Sequence, residues 1–227
     1  MLTAFFLAFA DLGLPAMRRV LVRAVGLALL LFIVLLGLLG AVLSQLGLSG
    51  IGWLDWIVDI LGGLAGLVAA ILLFPAATVA ILPLFLDEVA AAVEARHYPG
   101  LGPARGASAA SQALAGVRLA LLAALLNLLA LPAVLLLPVV GIGLYLLLNG
   151  WLLGREYFEL AALRRLDLAG ARRARKACRL RVWLGGTALA AILLVPFGNL
   201  VVPLFGAAAF VHVFHRRDGL ERQHPCV

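Results

Sequence analysis

Half of the chain's 18 basic residues fall between Arg155 and Arg181, nine Lys/Arg against three Asp/Glu. The run reads REYFELAALRRLDLAGARRARKACRLR. It lies between two uncharged apolar segments, Leu119 to Gly154 and Val182 to Phe214, each interrupted by proline. Basic residues with apolar flanks belong at the cytoplasmic face of a membrane. Each flanking segment must therefore either leave that face and come back, or carry the cluster to the wrong side. That choice restricts what the chain can fold into.

Composition agrees with a membrane setting. The 227 residues are 65% hydrophobic and 13% charged, with a mean hydropathy of +1.13. A soluble domain is about half apolar and a quarter charged, and one of this size could not hide such a surplus of apolar surface. The net charge of +7 is gathered between the apolar runs. Those hydrophobic flanks favour anionic lipid headgroups over nucleic acid as the partner. Cys178 and Cys226 do not suggest a disulfide framework or a metal cluster. The N-terminus lacks the basic segment and small-residue cleavage site of a cleaved signal.

Leu2, Phe5, Phe6 and Phe9 recur at helical spacing and predict an interfacial amphipathic helix over 1–14. Pro15 marks the next helix start. Ala24 to Leu54 carries no charge, and a bilayer core of about 30 Å needs about 20 helical residues. Transmembrane helices are expected over 15–47 and 53–98. Gly47 to Gly52 would form the turn, and Trp53 and Trp56 an interfacial belt near Asp55 and Asp59. Gly62 and Gly66 would admit a close neighbouring helix, while Pro75 and Pro83 would kink the second span.

Two spans return the chain to the side of its N-terminal arginines. A single crossing by Leu119 to Gly154 would then place the basic run outside. Split at Pro132 and Pro138, that segment gives arms of roughly 13 and 16 residues, about 20 and 24 Å as helices. Val182 to Phe214, split at Pro196, Gly198 and Asn199, gives arms of roughly 14 and 15 residues. Each arm falls short of a crossing. The expected fold is all-α and integral to the membrane: two long transmembrane helices, two half-penetrating helical hairpins over 107–165 and 182–215, and the basic stretch 166–181 joining them. A conventional bundle of six spans is the competing arrangement. Hairpin tips place irregular backbone at membrane depth, which survives only against protein or water, so a homo-oligomer or a hydrated cavity is expected.

Several residues are candidates for chemistry. Arg18 and Arg19 follow a helix start, where backbone N–H groups and guanidinium groups together suit a divalent oxyanion; a positive-inside anchor is the plainer reading. Asp87, Glu88, Glu94 and Arg96 end the second span. Asp87 and Glu94 share a helical face and would pair with Arg155, Arg164 or Arg165, gating a path or bracing helix ends. Arg155 and Glu159 are spaced for a local pair. Arg172, Arg175, Lys176 and Arg179 form a basic stripe suited to lipid headgroups, or to concentrating anions. Asn127 and Asn149 would bond between helices, and Asn199 would cap the returning arm. His212 and His215 are three apart with no third ligand in view, so no metal site is expected. No nucleotide loop or catalytic set appears, so no enzyme activity and no cofactor are expected.

Three stretches carry a resemblance to a known family: PLFLDEVAAAVEARHYPG (Pro83 to Gly100), NGWLLGREYFELAALRR (Asn149 to Arg165) and PFGNLVVPLFGAAAFVHVFH (Pro196 to His215). GLPAMRR, Gly13 to Arg19, adds to them. Together they resemble the CysZ-type sulfate permeases and their relatives in the etoposide-induced-protein domain family. The VHVFH ending is less polar than in the best-known permeases and points to a divergent branch. The resemblance implies two long spans with two half-penetrating hairpins, assembled into oligomers. It also implies sulfate uptake across the bacterial inner membrane to supply cysteine biosynthesis, with Arg18 and Arg19 binding sulfate. A non-transporting membrane scaffold or lipid-interacting protein is the alternative.

Overall fold

The structure, a computed structural model, describes residues 1–45, 63, 81–104, 106–195 and 198–220. The expected turn at Gly47 to Gly52, Trp53, Asp55, Trp56, Asp59, the Gly62–Gly66 pair, Pro75, Pro196 and Cys226 lie outside or only partly within these residues. All regular elements among the described residues are helical: α1 (Leu2–Asp11), α2 (Pro15–Gln45), a 3-10 turn (Leu82–Phe85), α3 (Leu86–His97), α4 (Ala109–Leu136), α5 (Pro138–Leu163), α6 (Leu168–Ala177), α7 (Arg179–Ile192) and α8 (Gly198–Leu220). The chain divides into two compact units, Arg18–Phe85 and the combination of Met1–Met17 with Leu86–Val227.

In the first of these units, the described residues belong mainly to α2. Its 31 residues begin at Pro15, whose missing N–H costs nothing in a first turn, and run to about 46 Å. Residues Pro15–Leu38 are long and apolar enough to cross a membrane. Leu29, Leu30, Leu31, Leu35 and Leu38 are exposed along it, as a lipid-facing helix requires. Pro83 sits in the 3-10 turn immediately before α3, where a missing donor is tolerated.

In the second unit, α5 packs on α4, α7 and α8, and α8 also packs on α1 and α3. The core is aromatic and small: Phe158, Phe210 and Phe214 are fully buried, with Ala207, Ala208 and Ala209 letting neighbours close on α8. Phe158 and Phe214 meet edge to face at 5.9 Å. Phe5 meets Phe205 likewise at 5.3 Å and ties α1 to α8. The buried face of α1 is Ala4, Ala8 and the charged Asp11, while Leu2, Phe6 and Phe9 stay exposed. An apolar outward face with an ionic inward one is the reverse of a soluble helix.

The contact between α5 and α7 is close. A Cβ on Gly186 would collide with the Gly150 carbonyl oxygen and the Gly154 backbone, and one on Gly150 with Thr187. Gly150 and Gly154 form a small-xxx-small surface.

The turns differ in detail from the expected ones. Pro132 lies inside α4. The break is the single non-helical residue Leu137, and Pro138 opens α5 as its first residue. Both helices continue into flanking residues and are longer than the apolar arms alone: α4 has 28 residues, and Ala110–Pro132 is itself long and apolar enough to cross. By contrast, α7 has 14 residues, about 21 Å, and Val201–His215 in α8 is a short apolar helix. A Cβ on Gly198 would meet the Ile192 carbonyl, so this turn needs glycine. Asn199 lies within α8, whose first residue is Gly198, and not ahead of it as a cap would.

Asn127 and Asn149 also depart from expectation. Each donates to its own helix, to the Ala123 carbonyl at 2.9 Å and the Tyr145 carbonyl at 3.1 Å, so neither bond is interhelical. Asp167 caps α6 through the Gly170 N–H at 2.8 Å. Cys178 is buried.

Candidate functional site

Among the described residues, the buried Asp11, Glu94, Arg164, His212 and His215 of the second unit gather between α1, α3, α8 and the end of α5. A carboxylate removed from water is tolerated only with charged or hydrogen-bonding partners. Two carboxylates here have them.

Glu94, on α3, is 4% exposed. Its Oε2 accepts from Arg165 Nη2 at 2.6 Å and from Arg164 Nη2 at 3.2 Å. Its Oε1 accepts from Arg165 Nε at 3.1 Å and lies 2.9 Å from His215 Nε2. Arg164 also bonds Asp87, reaching the carboxylate and the backbone carbonyl. Burial pushes the Glu94 carboxyl up, but His215 and the two guanidinium groups outweigh it and hold the pKa at about 2. Burial likewise pulls Arg164 down, yet Asp87 and Glu94 raise it overall. Arg165 also donates to the Gly102 carbonyl at 2.5 Å, which ties the loop after α3 to the end of α5. A cleft of about 380 Å³ opens beside Glu94, Tyr98 and the two arginines.

Asp11, on α1, is fully buried. Its Oδ1 lies 2.8 Å from His97 Nε2 and its Oδ2 lies 2.9 Å from His212 Nε2. Arg96 Nε stands 3.9 Å from Oδ1, on the solvent side. Tyr98 joins the two clusters. Its hydroxyl is 3.0 Å from His212 Nδ1, and its ring stacks at 4.5 Å on that of His215. The i, i+3 spacing of His212 and His215 thus sends one imidazole to each carboxylate. Around His212, Asp11 and His97 arrive from α1 and α3, with one ligand atom from each residue within 4.8 Å of the others.

Asp87, Glu94, Arg164 and Arg165 are therefore brought together, Arg96 lies beside Asp11, and Glu88 is exposed. Arg155 is elsewhere. It pairs with Glu159 at 3.1 Å, and Arg175 reaches the same oxygen at 3.0 Å. Arg175 thus leaves the stripe and turns inward; burial, only partly offset by the pull of Glu159, lowers its pKa. Arg172, Arg173, Lys176 and Arg179 stay exposed. Arg18 and Arg19 are exposed in the first turns of α2. Pro132, Pro138 and Gly198 flank the two turns described above.

Sequence reasoning missed Asp11, His97 and Tyr98. A signal existed for the first: Asp11 is the lone charge in a 14-residue apolar opening, and an ionisable group in such a setting marks a site.

Residues 4–203 match the family described as Sulfate transporter CysZ/Etoposide-induced protein 2.4. No curated protein matches the chain.

Proposed function

We propose, on the premise that the chain belongs to the Sulfate transporter CysZ/Etoposide-induced protein 2.4 family, that it admits sulfate across the bacterial inner membrane and supplies cysteine biosynthesis. The observation that carries this reading is the extent of the match, residues 4–203, which takes in Arg18, Arg19 and the whole Glu94–Arg164–Arg165 cluster. Arg18 and Arg19, exposed where α2 begins, attract the anion by charge-assisted hydrogen bonds. The cluster of Asp87, Glu94, Arg164 and Arg165 braces or gates the inner end of the path, with Glu88 and Arg96 on the same helix as Glu94, while Arg155 braces a separate pair with Glu159. Carboxylates repel sulfate, so none is a ligand.

The chain works as a homo-oligomer with re-entrant hairpins, α4 turning into α5 and α7 into α8. The 14 residues of α7, too few for a 30 Å core, support the second hairpin. The one-residue turn at Leu137 supports the first, although α4 by itself is long enough to cross. The tips then find protein or water through neighbouring subunits. The pathway operates as a channel or a transporter without a bound cofactor.

Radiolabelled sulfate uptake into proteoliposomes tests this. Protein-bearing vesicles should fill faster than empty ones, and the Arg18→Ala/Arg19→Ala double variant should lose most of the flux. Equal uptake with and without protein would overturn the reading.

The exposed Arg172, Arg173, Lys176 and Arg179 favour a second reading, a membrane scaffold that binds anionic lipid without transport. A deletion strain separates the two: only loss of a transporter creates a requirement for reduced sulfur when sulfate is scarce.

A further inference from the structure

We propose that Asp11, His97 and His212 form a binding site for a divalent transition-metal ion of the zinc class, clasping α1 to α3 and α8. Two imidazoles and one carboxylate are the protein donor set of an open zinc site, which leaves a fourth position to water. Imidazole donors select first-row transition ions, whereas calcium and magnesium require oxygen donors.

The donor atoms already converge. Both imidazoles present Nε2 to the same carboxylate, at 2.8 and 2.9 Å, and all three ligand positions fall within 4.8 Å of one another. Ligands about 2.0–2.1 Å from a tetrahedral zinc stand somewhat over 3 Å apart. A small movement of the two rings therefore makes room for an ion between the two Nε2 atoms and the Asp11 carboxylate. The rings cross at 78° with centroids 4.8 Å apart, so they approach that point from different directions.

The surrounding groups fit the same purpose. A metal-ligating imidazole needs a partner on its other nitrogen, and the Tyr98 hydroxyl stands at Nδ1 of His212. With the ion bound, His212 carries its proton on Nδ1 and Tyr98 accepts it. His97 likewise offers Nε2 to the ion, with its proton on Nδ1. Asp11 and His212 are fully buried, while the His97 side chain is 24% exposed and gives the entry route. Arg96 opposes a cation, but its side chain is 51% exposed and free to turn outward. The ligands come from α1, α3 and α8, far apart in sequence, so binding favours the docked arrangement of α1.

The test uses the full-length chain, purified without a polyhistidine tag and stripped with a chelator. Titration with Co²⁺ should give visible absorption bands that saturate at one ion per chain and vanish on adding Zn²⁺. His97→Gln and Asp11→Asn should abolish them. Tyr98→Phe should weaken binding by roughly 10–100-fold, the usual loss for an outer-shell partner. Arg96→Gln should tighten it, which a purely structural hydrogen-bond cluster would not produce. His224→Gln should change nothing. Zn²⁺ should also shield His97 from carbethoxylation in the unaltered chain, a readout that needs no variant to fold. Absence of saturable Co²⁺ binding, binding that survives His97→Gln, binding lost in His224→Gln, or His97 modified equally with and without Zn²⁺ would each overturn the proposal.

Discussion

The Glu94 carboxylate lies 2.6 Å from Nη2 of Arg165, a residue 71 positions further along the chain. That contact, with Arg164 and His215 on the same carboxylate, fastens the end of α3 to the ends of α5 and α8. Its strength depends on Glu94 being ionised. The folded chain holds the Glu94 pKa at about 2, against 4.5 for the free side chain. A depressed acid contributes stability that is present above the unfolded pKa and lost as the pH falls through the folded one.

The thermal midpoint of the detergent-solubilised chain should therefore drop between about pH 4.5 and pH 2. The contribution lost is on the order of 3 kcal/mol, at roughly 1.4 kcal/mol per pH unit. Glu94→Gln should be less stable than the unaltered chain at neutral pH, because it removes the negative charge shared by Arg164, Arg165 and His215. It should also lose less over the acid window. Tryptophan fluorescence on heating at a series of pH values measures both. Parallel pH profiles for the two proteins would show that Glu94 does not carry the dependence.

The contact of α5 with α7 leaves no room at Gly186, where a Cβ would strike the Gly150 carbonyl and the Gly154 backbone. Gly186→Ala should force the helices apart and cost about 1–3 kcal/mol or more. Gly116→Ala is the matched control, since a Cβ there meets nothing within 4 Å. It should stabilise α4 by up to about 1 kcal/mol through helix propensity. Thermal midpoints moving in opposite directions would bear this out; equal effects would not.

Asp167 closes the first turn of α6 by accepting from the Gly170 N–H. Asp167→Ala should cost about 1 kcal/mol, and Asp167→Asn, which keeps an acceptor, much less. Because α6 carries the exposed Arg172, Arg173 and Lys176, the Ala variant should also bind anionic vesicles less tightly. Co-sedimentation with phosphatidylglycerol vesicles reads that loss.

Local patterns made much of this molecule legible in advance. The charge-free run after Ala24 announces α2, because only a long helix satisfies its backbone in lipid. Pro138 and Gly198 mark helix starts because proline suits a first helical position and glycine admits the Ile192 carbonyl. The spacing of Arg155 and Glu159 foretold their pair. Helical spacing also put Asp87 and Glu94 on one face of α3.

Partner choice was decided elsewhere. Nothing in the sequence distinguishes Arg164 and Arg165 from Arg155 as the mates of Glu94. The docking of α3 against the end of α5 brings the first two within reach and leaves Arg155 with Glu159 and Arg175. Likewise, Asp11, His97 and His212 are separated by 86 and 201 residues from the aspartate and share no motif. Periodicity and charge act over a few residues and therefore determine the helices and the face on which basic groups collect. Which buried charge meets which depends on how α1, α3, α5 and α8 pack. Burial then makes those pairings obligatory, because an unpartnered carboxylate inside the unit costs more than the packing returns.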